Sequence, residues 1–168
     1  ALKLIRASLP STIEIHKNLN SESSILADKT QLHQIIMNLC TNAGYAMKEK
    51  GGSLEISLKD IEITSGTQFG CEVLQEGEYI EIKIADTGNG IPDEIIDRIF
   101  EPFFTTKPQG DGTGLGLSVV HGIIRSLKGA ICVKSKEGKG TVFSIYIPAV
   151  EENSENHNFT DESELLNG

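Results

Sequence analysis

Apolar positions along the chain follow two periods. At residues 12–19 Ile13 and Ile15 share one face of an alternating segment, the pattern of a half-buried strand. From Lys29 the period becomes helical: Leu32, Ile35, Ile36, Leu39, Cys40, Ala43 and Met47 fall on one broad stripe. Asp28 stands where an N-cap belongs, with Gln31 in capping-box spacing, and Gly51-Gly52 closes the segment, so a helix is predicted over 29–50. Alternation returns at Leu54, Ile56 and Leu58 and again at Ile80, Ile82 and Ile84, two strands separated by a polar loop over 64–77 that reads as a hairpin tip. Residues 92–98 suit a short helix, and 115–127 a longer one with Leu117, Val120, Ile124 and Leu127 in register. Segments 130–135 and 141–148 pair as a hairpin across Glu137-Gly138-Lys139-Gly140. This order predicts a two-layer α/β sandwich, its mixed, mostly antiparallel sheet covered by helices on one face.

A chain of 168 residues with 38% hydrophobic and 23% charged residues is sized for one soluble domain plus an appendage. The domain is assigned to residues 1–150, folded to about Pro148, and residues 151–168 to an acidic polar linker. That tail holds six of the 24 acidic residues and none of the 15 Lys and Arg, leaving 18 acids against 15 bases in the body. No clustered cations offer a nucleic-acid surface. No apolar run approaches the roughly 20 residues of a membrane span, and the first ten residues lack a signal-peptide pattern and read as a fragment boundary. Cys40, Cys71 and Cys132 are odd in number and widely spaced, which points away from disulfides and zinc and toward a reducing, cytoplasmic setting.

Four local patterns carry chemistry. On the predicted 29–50 helix, Asn38 and Asn42 stand at i and i+4 on a face where Lys and Glu are usual. Their carbonyl oxygens suit a hard cation already neutralised by phosphates, although two such residues are also what an ordinary exposed face can carry. Asp86 ends an Ile-rich strand and opens Asp-Thr-Gly-Asn-Gly-Ile-Pro. Its carboxylate can accept from an exocyclic amino group, with Gly88 and Gly90 allowing close backbone approach to a flat ring, or the segment is a plain Asp-Gly turn. Residues 110–117 (Gly-Asp-Gly-Thr-Gly-Leu-Gly-Leu) open the second helix, where free backbone N–H groups can face phosphate oxygens. No parallel βαβ unit surrounds them, so the dinucleotide fingerprint is rejected. Upstream, residues 100–107 (Phe-Glu-Pro-Phe-Phe-Thr-Thr-Lys) join an aromatic pair, read as packing, to Lys107, a phosphate partner or a solvated lysine.

Taken in order these segments resemble the catalytic domain of sensor histidine kinases. Asn38-Leu-Cys-Thr-Asn42-Ala is similar to its N box, residues 86–92 to its G1 box, 100–107 to its F box and 112–118 to its G2 box. The likeness extends from about Ser8 to Pro148, and its form resembles the nitrogen-regulation and hybrid-kinase subgroup. It implies the Bergerat fold shared with gyrase, Hsp90 and MutL, with ATP and Mg²⁺ as cofactors. It further implies that Asn42 holds the metal with Asn38 beside it, that Asp86 binds adenine N6, and that residues 105–116 form a mobile lid. The implied nucleotide contacts are Asn38, Asn42, Tyr45, Asp86, Gly88, Gly90, Ile91, Thr105, Thr106, Lys107, Gly112, Thr113, Gly114, Leu115, Gly116, Leu117 and Thr141, with Asn38, Asn42 and Lys107 as the catalytic set. One departure matters: where many members carry Lys-Tyr, this chain has Tyr45-Ala46, so a phosphate-binding lysine on that helix is missing and Lys107 is expected to supply the charge.

An ATPase of this fold is expected to carry Glu near Asn38 to activate water, whereas an amide is no base. Phosphotransfer to histidine is therefore favoured over hydrolysis, the alternatives being an ATPase or a non-catalytic nucleotide-binding module. His16, His33, His121 and His157 lie in no phosphoacceptor setting and are read as structural or solvent-facing. The expected partners are a phosphoacceptor dimerisation domain N-terminal to these residues and a response regulator or receiver domain, with no nucleic acid and no direct membrane contact.

Overall fold

The computed structural model describes residues 2–64, 68–69 and 72–150. In chain order the elements are α1 (Leu2–Ser8), β1 (Ile13–Asn20), β2 (Ser24–Ile25), α2 (Lys29–Ala46), β3 (Gly52–Ile63), β4 (Gln68–Phe69), β5 (Glu72–Val73), β6 (Gly77–Asp86), a 3-10 helix (Asp93–Arg98), α3 (Gly116–Ser126), β7 (Ala130–Lys136) and β8 (Gly140–Val150). The main sheet runs β1-β3-β6-β8-β2, with β7 also paired to β8. Only β1 and β3 are parallel among the described pairings; every other ladder is antiparallel. The predicted two-layer architecture is the one observed.

Strand alternation decides which face the helices cover. Leu54, Ile56, Ile80, Ile82, Ile84, Ile131, Phe143, Ile145 and Ile147 meet Ile35, Leu39, Cys40, Ala43, Val120 and Ile124 in one core. The α2 stripe read from the sequence supplies the helix side of that core, as Ile35, Leu39, Cys40, Ala43 and Met47 are all buried. On the other face Ile63, Tyr79, Cys132 and Tyr146 form a smaller cluster sheltered by Ile61 and Leu74. Glu81 is buried there, yet its carboxylate is satisfied by the Tyr146 hydroxyl at 3.1 Å and by Lys59 Nζ at 3.1 Å.

Several elements differ from the sequence reading. Helix α2 begins as expected, with the Asp28 side chain accepting from Thr30 N at 2.6 Å. It stops at Ala46 rather than Lys50, because the Ala46 carbonyl accepts from Asn89 N at 3.1 Å instead of from a further helical turn. Residues 93–98 wind as a 3-10 helix. Strand β8 runs past Pro148 to Val150 because Ser24 and Ile25 pair with Val150 and Ala149. Helix α1 carries no sequence prediction; it is fixed by buried Ile5 and Leu9 and by the Arg6 guanidinium, which donates to Ile13 O at 2.7 Å and to Leu9 O at 3.2 Å. The loop assigned to 64–77 contains the β4–β5 pair and gives way to β6 at Gly77; its residues 65–67 and 70–71, which include Cys71, and the 151–168 tail with His157 lie outside the described residues.

Candidate functional site

Three elements converge on one cleft of about 510 Å³ between α2, the sheet end and the 104–117 segment. That volume is in the range of small-molecule sites. Of the residues singled out from the sequence, Asn38, Asn42, Tyr45, Asp86, Gly90, Ile91, Thr105, Thr106, Lys107, Gly112, Thr113, Gly114, Gly116, Leu117 and Thr141 all line it. A second, more open cleft of about 730 Å³ lies around Leu74–Tyr79 and Gly129 and gathers none of them.

The sheet end builds the deep wall. Asp86 and Thr141 are register partners on β6 and β8, both on the helix-covered face, and they are 8% and 4% exposed. The Asp86 carboxylate accepts from Gly88 N at 2.8 Å and from the Thr141 backbone N–H. Burial pushes its carboxyl above the ordinary carboxylate range, and those two backbone donors oppose the rise. A carboxyl group raised by burial at a concave site, still able to accept from a ligand, marks a functional group more than a structural one.

Ser135, absent from the sequence reading, supports this wall. Its hydroxyl accepts from Ile91 N at 2.8 Å and donates to Gly140 O at 2.9 Å, so the Thr141 hydroxyl, 2.8 Å away, donates to it. One side chain thereby ties the Ile91 turn to the β8 start. Nothing in the sequence separates Ser135 from any other strand serine. Asn89, Ile95, Ile99, Phe104 and Phe143 also line the cleft and were likewise not foreseen as contacts.

The helix wall presents the amides. Asn42 Oδ1 accepts from Lys107 Nζ at 3.1 Å, and the same ammonium lies 4.5 Å from the Tyr45 ring centroid. Partial burial lowers the pKa of Lys107, and the nearby Asp111 charge pulls it back up. The Asn42 carbonyl therefore seats a cation, which fits the chemistry expected of a metal-holding oxygen. No cluster of three or more His, Cys, Asp or Glu offers a self-sufficient metal site among the described residues. Any metal here needs phosphate oxygens to complete its shell.

Three expectations change. Gly88 does not line the cleft: a methyl group there would fall 2.6 Å from Ala46 Cβ, so its missing side chain lets the turn approach α2 rather than a ligand ring. Leu115 does not line it either; it is the N-cap position of α3, and its side chain is 37% exposed. The Phe pair divides. Phe104 packs against the core, but Phe103 is 74% exposed with φ 67°. Its N–H is held by Gly114 O at 2.9 Å, and Gly114, at φ 68°, occupies the inner side where a Cβ would sit 2.6 Å from Phe103 O. Among the described histidines, His16 is exposed beside Glu14 at 3.6 Å, and His121 packs on Phe100 at 5.3 Å between rings.

A pH dependence follows from Asp86. The ionised carboxylate is the form that accepts from a ligand amino group, and its pKa is raised. Affinity for an adenine nucleotide should therefore begin to fall, on acidification, above the pH at which an ordinary aspartate protonates. Calorimetry across that range should show an inflection that Asp86→Asn lacks. Stability of the ligand-free protein moves the other way: protonation is favoured in the fold, so the penalty of burying this group grows as pH rises through its folded pKa.

Residues 27–151 match the family model of histidine kinase-, DNA gyrase B-, and HSP90-like ATPases. The sensor kinase CckA of Brucella abortus is 43% identical over 128 residues, which is 76% of this chain and 13% of that protein. The sensor histidine kinase ZraS of Salmonella typhimurium is 41% identical over 126 residues, 75% of this chain and 23% of that protein. The chain thus spans only 13% and 23% of these two relatives. Among solved structures, the mycobacterial sensor histidine kinase MprB aligns with TM-score 0.65 and 25% identity over 88% of this chain and 93% of that one. Full-length ShkA in complex with AMPPNP aligns with TM-score 0.65 and 29% identity over 88% of this chain and 28% of that one.

Proposed function

The chain belongs to the histidine kinase-, DNA gyrase B-, and HSP90-like ATPase family, and we propose that it is the ATP-binding catalytic domain of a two-component sensor histidine kinase. The observation that carries this reading is the convergence of Asn42, Asp86 and Gly114 on one cleft. Adenine enters against the sheet end, its amino group donating to Asp86, with Ile91, Ile95, Ile99 and Phe143 as apolar walls. The triphosphate lies toward α2 and the 105–116 lid, where Lys107 and the free N–H groups at the start of α3 meet its oxygens. Asn42, with Asn38 one turn before it on α2, would hold Mg²⁺, which would supply neutralisation of the phosphate charge.

Phosphoryl transfer needs positioning and charge neutralisation more than covalent help from the protein. Asn38, an amide, takes no proton from water. A neutral imidazole brings its own lone pair and needs no base, so the chain favours transfer to histidine over hydrolysis. Its described histidines are an exposed strand residue and helix residues outside the cleft lining, so the acceptor belongs to a dimerisation domain elsewhere in a longer protein. A response regulator or receiver domain then takes the phosphoryl group. No described helix is long and apolar enough to cross a membrane, in keeping with a cytoplasmic catalytic domain.

Joining the chain to a histidine kinase dimerisation domain and supplying Mg-ATP should yield acid-labile, base-stable phosphate, lost in Asn42→Ala. Nucleotide binding with no phosphohistidine, or steady-state hydrolysis lost in the same variant, would overturn the kinase reading.

A further inference from the structure

Asn42 Oδ1 is in demand from two cations. It accepts from Lys107 Nζ at 3.1 Å, a contact that ties the lid to α2 across 65 positions of sequence. The same ammonium lies 4.5 Å from the Tyr45 ring centroid, and Tyr45 sits almost one turn beyond Asn42 on α2. A lysine head of this kind is normally a hydrated point charge with no fixed partner. Here one helix offers it a carbonyl oxygen and an aromatic face together.

We propose that Lys107 and the metal of a metal–nucleotide complex compete for Asn42 Oδ1, so that the ammonium latches the lid to α2 until the nucleotide takes that oxygen, with Tyr45 as the residue that positions the ammonium. The proposal rests on reading Asn42 as the metal-holding residue. A dication and an ammonium on one carbonyl oxygen would stand within a few ångströms of each other, like charges in a partly desolvated cleft. One must leave. Phosphate oxygens brought by the same ligand give the displaced ammonium a stronger, anionic acceptor than a neutral amide. Local geometry carries the motion into the lid: Lys107 N–H donates to Thr105 Oγ1 at 3.1 Å, and the space beside Gly112 is closed by Lys107 Cδ and Thr105 Oγ1, each 2.9 Å from where a methyl group would sit. Moving Lys107 therefore moves residues 105–112 together.

Amide hydrogen exchange over residues 104–113, measured without nucleotide, tests the latch. Lys107→Met and Asn42→Ala should each speed exchange about fivefold, the scale of one lost hydrogen bond, with Tyr45→Leu intermediate. The Lys107→Met/Asn42→Ala double variant should add nothing to Lys107→Met, because both single variants break the same Lys107–Asn42 hydrogen bond. Equal rates in wild type and Lys107→Met, or additive effects in the double variant, overturn the latch. Calorimetry of the wild-type chain with Mg-ADP separates this from the underlying reading: no binding there removes Asn42 as a metal residue, whatever the exchange rates show.

Discussion

Asp86→Asn is expected to weaken adenine nucleotide binding by roughly ten- to a hundredfold while leaving the fold intact, the cost of losing a charge-assisted hydrogen bond in a buried site. The substitution keeps the volume and changes only the donor pattern. In the native protein the carboxylate accepts from Gly88 N at 2.8 Å and from the Thr141 N–H. An amide group must turn its NH₂ either toward one of these backbone donors or into the cleft. In both orientations a donor faces a donor. The adenine amino group is itself a donor, whereas guanine presents an acceptor at the same ring position. The variant should therefore lose preference for ATP over GTP as well as affinity for ATP. Unchanged affinity and unchanged base preference in calorimetry would remove Asp86 from the site.

Gly140→Ala should destabilise the protein by about 3–5 kcal/mol, combining left-handed strain with a backbone clash. Gly140 has φ 102°, and a Cβ there would press into the Asp86 carbonyl oxygen and lie 2.9 Å from both its carbonyl carbon and Thr87 Cα. Neither neighbour is the free end of a flexible side chain. Gly138 is the internal control: it has φ 75°, but a methyl group there meets open space. Gly138→Ala should cost only the conformational part, roughly 1–2 kcal/mol. Thermal unfolding should show a drop of about 10 °C or more for Gly140→Ala against a few degrees for Gly138→Ala. Equal shifts would mean that the Asp86–Gly140 approach does not shape the sheet end. The same variant should weaken nucleotide binding, since Asp86 and Thr141 are register partners directly beside the clash.

Residues whose role follows from period and local chemistry were legible in the sequence. The α2 stripe, the Asp28 cap, the i and i+4 amides and the carboxylate at a strand end each depend on near neighbours, and each stands where the pattern puts it. Features set by contacts distant in sequence were not legible. Helix α2 ends early because Asn89, far along the chain, takes the Ala46 carbonyl. Gly88 serves helix packing because the turn that contains it returns to Ala46, which its own sequence does not reveal. Ser135 acquires its role only when β7, β8 and the Ile91 turn meet. Phe103 reads as core by residue type, yet its backbone is held against Gly114 and its ring is exposed. The parallel pairing of β1 with β3 has the same origin, since α2 must cross between them before β3 can lie alongside.

A crystal structure of the chain with Mg²⁺ and a non-hydrolysable ATP analogue would show whether Asn42, Asp86 and the 105–116 segment hold one nucleotide. The adenine amino group should lie within hydrogen-bond distance of Asp86, the metal on Asn42, Lys107 moved from Asn42 to the phosphates, and residues 105–116 over them. A nucleotide seated in any other cleft, or an adenine ring turned away from Asp86, would contradict this placement.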